Sequence, residues 1–210
     1  GDYEGVMHDL VTKLGEPRFN LDFERDFSPA RELCGAVMRL PSLFDSCVIT
    51  TNFDRILERA YEKDGKAFAE KTTGRARAGS INAFYRAIPA GDRHLLKLHG
   101  NLNNAGERVL NRGEYEAAYG NDGNIHFEFP IPKLLRRLYT SFSFLFLGCS
   151  LSYDRTTLTF AKIAQDAGGD SLPHHYAILG CPADGAQRKA LEDRLAGAHI
   201  SAIWYPEGQH

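Results

Sequence analysis

The chain is poor in cysteine, and the few cysteines that it has lie far apart. Only four of its 210 residues are cysteine, namely Cys34, Cys47, Cys149 and Cys181, and no two of them form a CxxC pair. Their separation argues against a structural zinc site and against a small scaffold held by disulfides. We expect four reduced, mostly buried thiols in a chain long enough to build its own core.

Long apolar runs and an excess of one charge are also absent. The longest apolar stretches, such as residues 142–147, are far shorter than the roughly 20 residues of a membrane-spanning helix. Residues 1–14 contain no basic segment followed by an apolar core, so no secretion signal is predicted. Lysine and arginine number 25 against 27 aspartate and glutamate, which leaves no global basic field to hold nucleic acid. We therefore expect a cytoplasmic protein that neither spans a membrane nor binds nucleic acid directly.

What the chain does contain is an alternation of short apolar runs with longer amphipathic stretches. This pattern predicts βα units and an α/β fold, a three-layer α/β/α sandwich with a mostly parallel sheet covered by helices on both faces. The predicted strands are 46–50, 94–98, 143–148, 175–179 and 200–205. The predicted helices are 3–14, 29–40, 53–63, 81–88, 132–140, 154–167 and 183–196.

Two stretches look irregular in the sequence. Residues 70–80 are basic and rich in glycine, and residues 101–123 carry Asn and Gly clusters around a short helical piece near 114–119. We expect both to be dominated by loops. The sequence thus predicts one domain over residues 1–210, with a loop-rich insertion at about 101–130.

Polar and small residues directly follow three of the predicted strands. The segments are 48–54 (VITTNFD), 95–100 (LLKLHG) and 144–150 (FLFLGCS). Ligands of open α/β sheets bind beyond the carboxyl ends of the strands. The three strand exits would therefore form one ligand site if their strands are neighbours.

Each strand exit has a simpler explanation when it is taken alone. Residues 50–52 could merely cap the helix that follows. His99 could be a histidine satisfied at a strand end, and the small residues at 148–150 could serve close packing of a strand against a helix. For any single exit these alternatives stay open.

The three exits, in this order and about fifty residues apart, resemble those of sirtuin-like domains, which bind and cleave NAD. The matching segments are TTNFD at 50–54, KLHG at 97–100 and FLGCSL at 146–151. The likeness is greater to the bacterial NAD hydrolases of anti-phage defence than to the deacylase sirtuins, because of the NFD form, the NRGEYEAAY segment at 111–119 and the FLFLGCSLSYD stretch at 144–154. It runs from about residue 45 to about residue 180 and implies a Rossmann-like fold.

The resemblance implies a catalytic role for two residues. Asn52 corresponds to the asparagine that orders the nicotinamide ribose and the attacking water, and His99 to the histidine that acts as a base on the ribose hydroxyls. The implied NAD-binding residues are Thr50, Thr51, Asp54, Gly148, Cys149 and Ser150.

The binding positions differ in what the resemblance implies for them. Asp54 would lie near the nicotinamide pocket, whereas Gly148 and Ser150 would hold the adenosine ribose and phosphate side. Two positions depart from the deacylases: Thr51 stands where they usually have Gln, and Cys149 stands where Thr is usual.

The implied chemistry suits these residue types. Cleavage of a glycosidic bond passes through an oxocarbenium-like state and needs a positioned water and stabilisation of positive charge. An amide can hold the water, a carboxylate can stabilise the cation, and a histidine of ordinary pKa, about 6.5, can accept a ribose hydroxyl proton near neutral pH. No metal is needed for this reaction.

The absence of a cysteine-rich segment favours NAD hydrolysis over protein deacylation, two activities of the family. The deacylase sirtuins insert a four-cysteine zinc ribbon after the HG motif, but residues 101–147 contain no cysteine. The resemblance therefore implies no zinc, NAD as substrate, and hydrolysis to nicotinamide and ADP-ribose, with cyclisation of the product left open. NAD-dependent protein deacylation and a module that binds NAD or ADP-ribose without turnover are the alternatives.

The resemblance also implies partners and a preceding segment. Domains of this type usually need an activating sensor or oligomerisation, so we expect an Argonaute-like or nucleotide-sensing partner, further domains of a parent chain, or a homo-oligomer. A sirtuin-like fold would open with a strand and a glycine-rich loop for the NAD pyrophosphate. Because residues 3–40 are predicted to be helical, we expect the chain to begin inside the fold, without that strand and loop.

Overall fold

Short parallel strands alternate with helices along the chain, as the apolar pattern predicts. The computed structural model describes residues 2–27, 32–120, 124–151, 154–168 and 171–206. The strands are β1 (Val48–Thr50), β2 (Glu70–Thr73), β3 (His94–Lys97), β4 (Leu145–Leu147), β5 (His175–Gly180) and β6 (Ile200–Tyr205). The α-helices are α1 (Tyr3–Leu14), α2 (Glu16–Phe27), α3 (Leu40–Leu43), α4 (Ile56–Lys63), α5 (Ala78–Ala90), α6 (Arg112–Tyr119), α7 (Pro130–Ser141), α8 (Arg155–Ala167) and α9 (Gly185–Gly197).

The strands form two parallel sheets flanked by helices, which confirms the predicted α/β class. One sheet has the order β1-β3-β2 and the other has the order β4-β5-β6. The first sheet belongs to a unit of residues 1–122 and the second to a unit of residues 123–210. The prediction of one domain over 1–210 stays a prediction.

Strand β3 is the centre of the first sheet. It pairs in parallel with β1, where Thr50 lies opposite Lys97, and with β2, where Thr73 lies opposite the same lysine. All four residues of β3 are buried, as expected of a central strand covered on both faces. Parallel pairing places the carboxyl ends of all three strands at the same edge of this sheet.

Two predicted elements are wrong in their local structure. Residues 70–80 are not a loop, because they form β2 and the start of α5. The strand EKTT lacks the apolar run that marks the other strands, and its pairing with β3 and the bond between Thr72 Oγ1 and His94 Nε2 (2.7 Å) hold it instead. The predicted helix over 29–40 begins at residues outside the described ranges, and over Gly35–Arg39 the chain forms a 3₁₀ turn rather than an α-helix.

The second sheet carries its buried side chains on one face. Helix α7 packs an apolar stripe inward, since Leu134, Leu135, Leu138 and Tyr139 are all buried. Tyr139 stacks on His175 of β5 at a ring-centroid distance of 3.6 Å. The alternate residues of these strands are exposed, namely Leu145, Leu147, Tyr176 and Ile203.

The helices are short. Within the ranges that the structure describes, none combines the length and the hydropathy that a bilayer crossing requires.

Candidate functional site

The loop after β1 carries the first group of predicted site residues. The Thr50 hydroxyl accepts a hydrogen bond from the backbone N–H of Asn52 (3.1 Å). Thr51 and Asn52 are exposed. The Asp54 carboxylate accepts a bond from the N–H of Ile56 (2.9 Å), the first residue of α4. Helix capping by residues 50–52, the simpler explanation for this segment, is therefore wrong, because the N-cap of α4 is Arg55 and the Thr50 hydroxyl bonds within the segment itself. Asn52 remains accessible to a ligand.

His99 follows β3 and is almost fully buried. Its side chain has a Tyr119 hydroxyl 2.8 Å from Nε2, and its ring meets Tyr115 edge-on at 5.4 Å. Burial lowers the pKa of His99 from its ordinary value to about 4. The imidazole is therefore neutral at neutral pH, but it is a weaker base than the histidine of ordinary pKa that the sequence predicted.

Helix α6 brings the tyrosines to His99, and a capping box fixes where this helix begins. The Asn111 side chain accepts a bond from the N–H of Glu114 (3.1 Å), and the Glu114 carboxylate accepts from the N–H of Asn111 (3.0 Å). Such reciprocal bonds satisfy the free N–H groups of a helix start. The NRGEYEAAY segment therefore has a structural role beside His99.

Lys97 and Glu58 form a buried ion pair next to the loop after β1. The Lys97 ammonium donates to the carbonyl oxygens of Phe53 (3.0 Å) and Asp54 and to the Glu58 carboxylate (3.1 Å). Lys97 is 1% exposed and Glu58 is 4% exposed. In the sequence, Lys97 stands out only as part of the KLHG motif, and no local pattern indicates Glu58. A charged residue inside the apolar run LLKLHG was the signal that could have found this pair.

The structure brings the first two strand exits together. Strands β1 and β3 are paired, and the N–H of Leu98 donates to the carbonyl oxygen of Thr50 (2.7 Å) just beyond the last pair. The loop that carries Asn52 and the turn that carries His99 therefore leave neighbouring strands at the same edge of one sheet.

The third strand exit follows β4, a strand of the other sheet that does not pair with β1 or β3. Gly148, Cys149 and Ser150 are all exposed there. Gly148 has φ +64°, and a Cβ at this position would meet no atom of the described residues within 4 Å. Close packing of strand against helix is therefore not the reason for this glycine; the left-handed turn is. The turn leads to Asp154, which caps α8 by accepting from the N–H of Thr157 (2.8 Å).

Comparison with known proteins identifies the family. Residues 46–203 match the family model of the SIR2-like domain. The chain belongs to the SIR2-like domain family. This match spans all three strand exits, and no curated protein matches the chain. SIR2-like domains use NAD and are generally NAD-dependent enzymes, so the function of this chain is related to NAD.

Proposed function

We propose that this SIR2-like domain is an NAD⁺ hydrolase that releases nicotinamide and ADP-ribose. One observation carries the proposal: the parallel pairing of β1 with β3 sets the exposed Asn52 and the neutral His99 at neighbouring strand ends. An amide that can hold water beside a base that can accept a ribose proton is the pair of groups that this cleavage uses.

In the proposed reaction, the bond between nicotinamide nitrogen and the anomeric carbon of the ribose breaks. Its electron pair neutralises the pyridinium ring, so nicotinamide leaves without a general acid. A water oxygen then forms the new bond to the same carbon, and the proton that this water loses passes to the ribose oxygen that gave its own proton to His99, so that one proton is released in all. Asn52 orients that water and the ribose. His99 accepts a proton from a ribose hydroxyl, and the negative charge of Asp54 stabilises the cationic state.

The remaining predicted residues are proposed to bind the rest of the substrate. Thr50 ends β1, and Thr51 lies beside Asn52 in the loop that follows. Gly148, Cys149 and Ser150 are proposed for the adenosine ribose and phosphate side. Their exposure and the left-handed turn at Gly148 support this role, because successive backbone N–H groups in such turns favour anions.

Nicotinamide release from NAD by the full chain tests the proposal. We expect Asn52→Ala and His99→Ala each to lower the rate by about 100-fold or more, the range found for a lost general base. Asn103→Ala, at an exposed asparagine outside the site, is the matched control and should keep the wild-type rate. Circular dichroism verifies that each variant is folded. Unchanged turnover in both site variants would contradict the assignment.

We further propose a role in bacterial anti-phage defence, with activation by a sensor, an Argonaute-like protein or self-association in the cytoplasm. The support is the resemblance of the NFD form and of residues 111–119 to that branch. Cellular NAD that stays constant when phage infect cells expressing the full protein and its neighbours would argue against this role.

A further inference from the structure

Lys97 is a buried cation whose hydrogen bonds end in the loop that carries Asn52. An ammonium group has three N–H donors, and Lys97 has three acceptors: two consecutive carbonyl oxygens of the loop and the carboxylate of Glu58. The two carbonyls belong to Phe53 and Asp54, the residues directly after Asn52. The loop is thus tied to the last residue of β3 by a side chain as well as by the strand pairing.

Stability alone does not explain a charged pair at this place. Replacing a buried ion pair by apolar residues of similar volume is often neutral or stabilising. The ion pair of Lys97 and Glu58 also leaves one polar atom without a hydrogen bond, because the second carboxylate oxygen of Glu58 has no partner among the described residues. What an apolar pair could not supply is the hydrogen bonds to the two loop carbonyls.

We propose that Lys97, neutralised by Glu58, is a positioning residue that fixes the Asn52 loop relative to His99. Its backbone stands two residues before His99 in the chain, and its ammonium holds the peptide groups next to Asn52. One side chain therefore sets the separation of the two proposed catalytic groups. The catalytic consequence rests on the proposed NAD hydrolysis, whereas the ordering of the loop does not.

The double substitution Lys97→Met and Glu58→Met tests this inference, because it removes the charges and the loop bonds together while keeping the volume. We expect the melting temperature to stay within a few degrees of wild type and kcat for nicotinamide release to fall about 100-fold, with a smaller change in KM. Amide hydrogen exchange of residues 52–54 should become faster, while that of β3 is retained. Lys71→Met, at an exposed lysine of β2 in the same sheet, should change none of these quantities.

Adding Asn52→Ala to the double variant identifies the residue through which Lys97 acts. If the pair positions Asn52, Asn52→Ala lowers kcat by a much smaller factor in the double variant than in wild type, because the effects of coupled residues are not additive. An equal fall in kcat in wild type and in the double variant would contradict the inference.

The remaining outcomes also decide the question. Wild-type kcat and wild-type loop exchange in a folded double variant would overturn the positioning role, and so would a loss of protection throughout the sheet, which marks a purely structural pair. If the wild-type protein releases no nicotinamide, the proposed function fails, and the exchange of residues 52–54 still tests whether Lys97 orders the loop.

Discussion

The neutral state of His99 comes from burial rather than from a charged neighbour. Desolvation disfavours the imidazolium, and a tyrosine hydroxyl rather than a carboxylate meets Nε2. A carboxylate in that place would have raised the pKa. The ring is therefore neutral at neutral pH and a weaker base than an exposed histidine.

The same burial links the stability of the fold to pH. The folded chain has a His99 pKa of about 4, whereas an unfolded histidine has a pKa of about 6.5, so between these values the unfolded chain binds a proton that the folded chain does not. We expect neutral His99 to make its full contribution to the free energy of unfolding above pH 6.5. As the pH approaches 4, this free energy should fall by up to about 3 kcal/mol.

Urea denaturation at pH 7, 6 and 5 measures this effect in wild type and in His99→Gln, whose side chain does not titrate. Burial also lowers the pKa of His175 to about 4, but that histidine is present in both proteins and cancels in the comparison. Equal pH dependence of the two proteins would show that His99 makes no such contribution.

The turn after β3 requires a glycine at position 100. Gly100 has φ +90°, and a Cβ there would lie 2.5 Å from the carbonyl oxygen of Glu107. We expect Gly100→Ala to lower the free energy of unfolding by about 2–4 kcal/mol, because both the dihedral angle and the contact are unfavourable.

Thermal denaturation checks the glycine prediction against Gly79→Ala, a substitution in α5 where a Cβ would have no described neighbour within 4 Å. Since alanine favours helix over glycine, that control should match or slightly exceed wild type. A Gly100→Ala protein as stable as the control would refute the steric argument.

Apolar strands were predictable from the sequence because they form continuous hydrophobic runs, which burial on both faces explains for β3, whereas the strands of the second sheet also expose apolar side chains. All five strands predicted in this way exist, within two residues at each end. Strand β2 was missed because EKTT is polar and its hydrogen bonds to β3 are not visible in a local pattern. The α-helix expected over 29–40 was wrong because Cys34 is extended and Gly35 has φ +73°, a backbone conformation that favours glycine but lies outside a right-handed helix.

The site was predictable only where its residues follow strands directly. Asn52 and His99 stand at strand exits, so their placement follows from the fold class. Glu58 lies 39 residues before Lys97, and Tyr119 lies 20 residues after His99. These contacts exist only once the strands and helices are packed, which is why no local pattern predicted them.

For the molecule as a whole, the activity to be distinguished from NAD hydrolysis is protein deacylation. Residues 101–147 contain no cysteine, and the zinc ribbon of deacylase sirtuins helps to form their peptide cleft. We therefore expect nicotinamide release at the same rate with and without an acetyl-lysine peptide, measured by chromatography together with the acetyl content of the peptide.

Two other results of that experiment would favour the alternatives. Acetyl loss that requires NAD would indicate a deacylase. Tight NAD binding by calorimetry, with no product in either mixture, would indicate a binding module.

The buried ion pair also has a consequence for how the chain reaches its native alignment. Strands β1 and β3 have three and four residues, so few side-chain contacts distinguish the native register from a shifted one. A shift of β3 by one residue would turn Lys97 to the opposite face, where its ammonium would lie in the interior away from Glu58 and the two carbonyls. Because an unpaired buried charge costs several kcal/mol, Lys97 disfavours the shifted register relative to the native one.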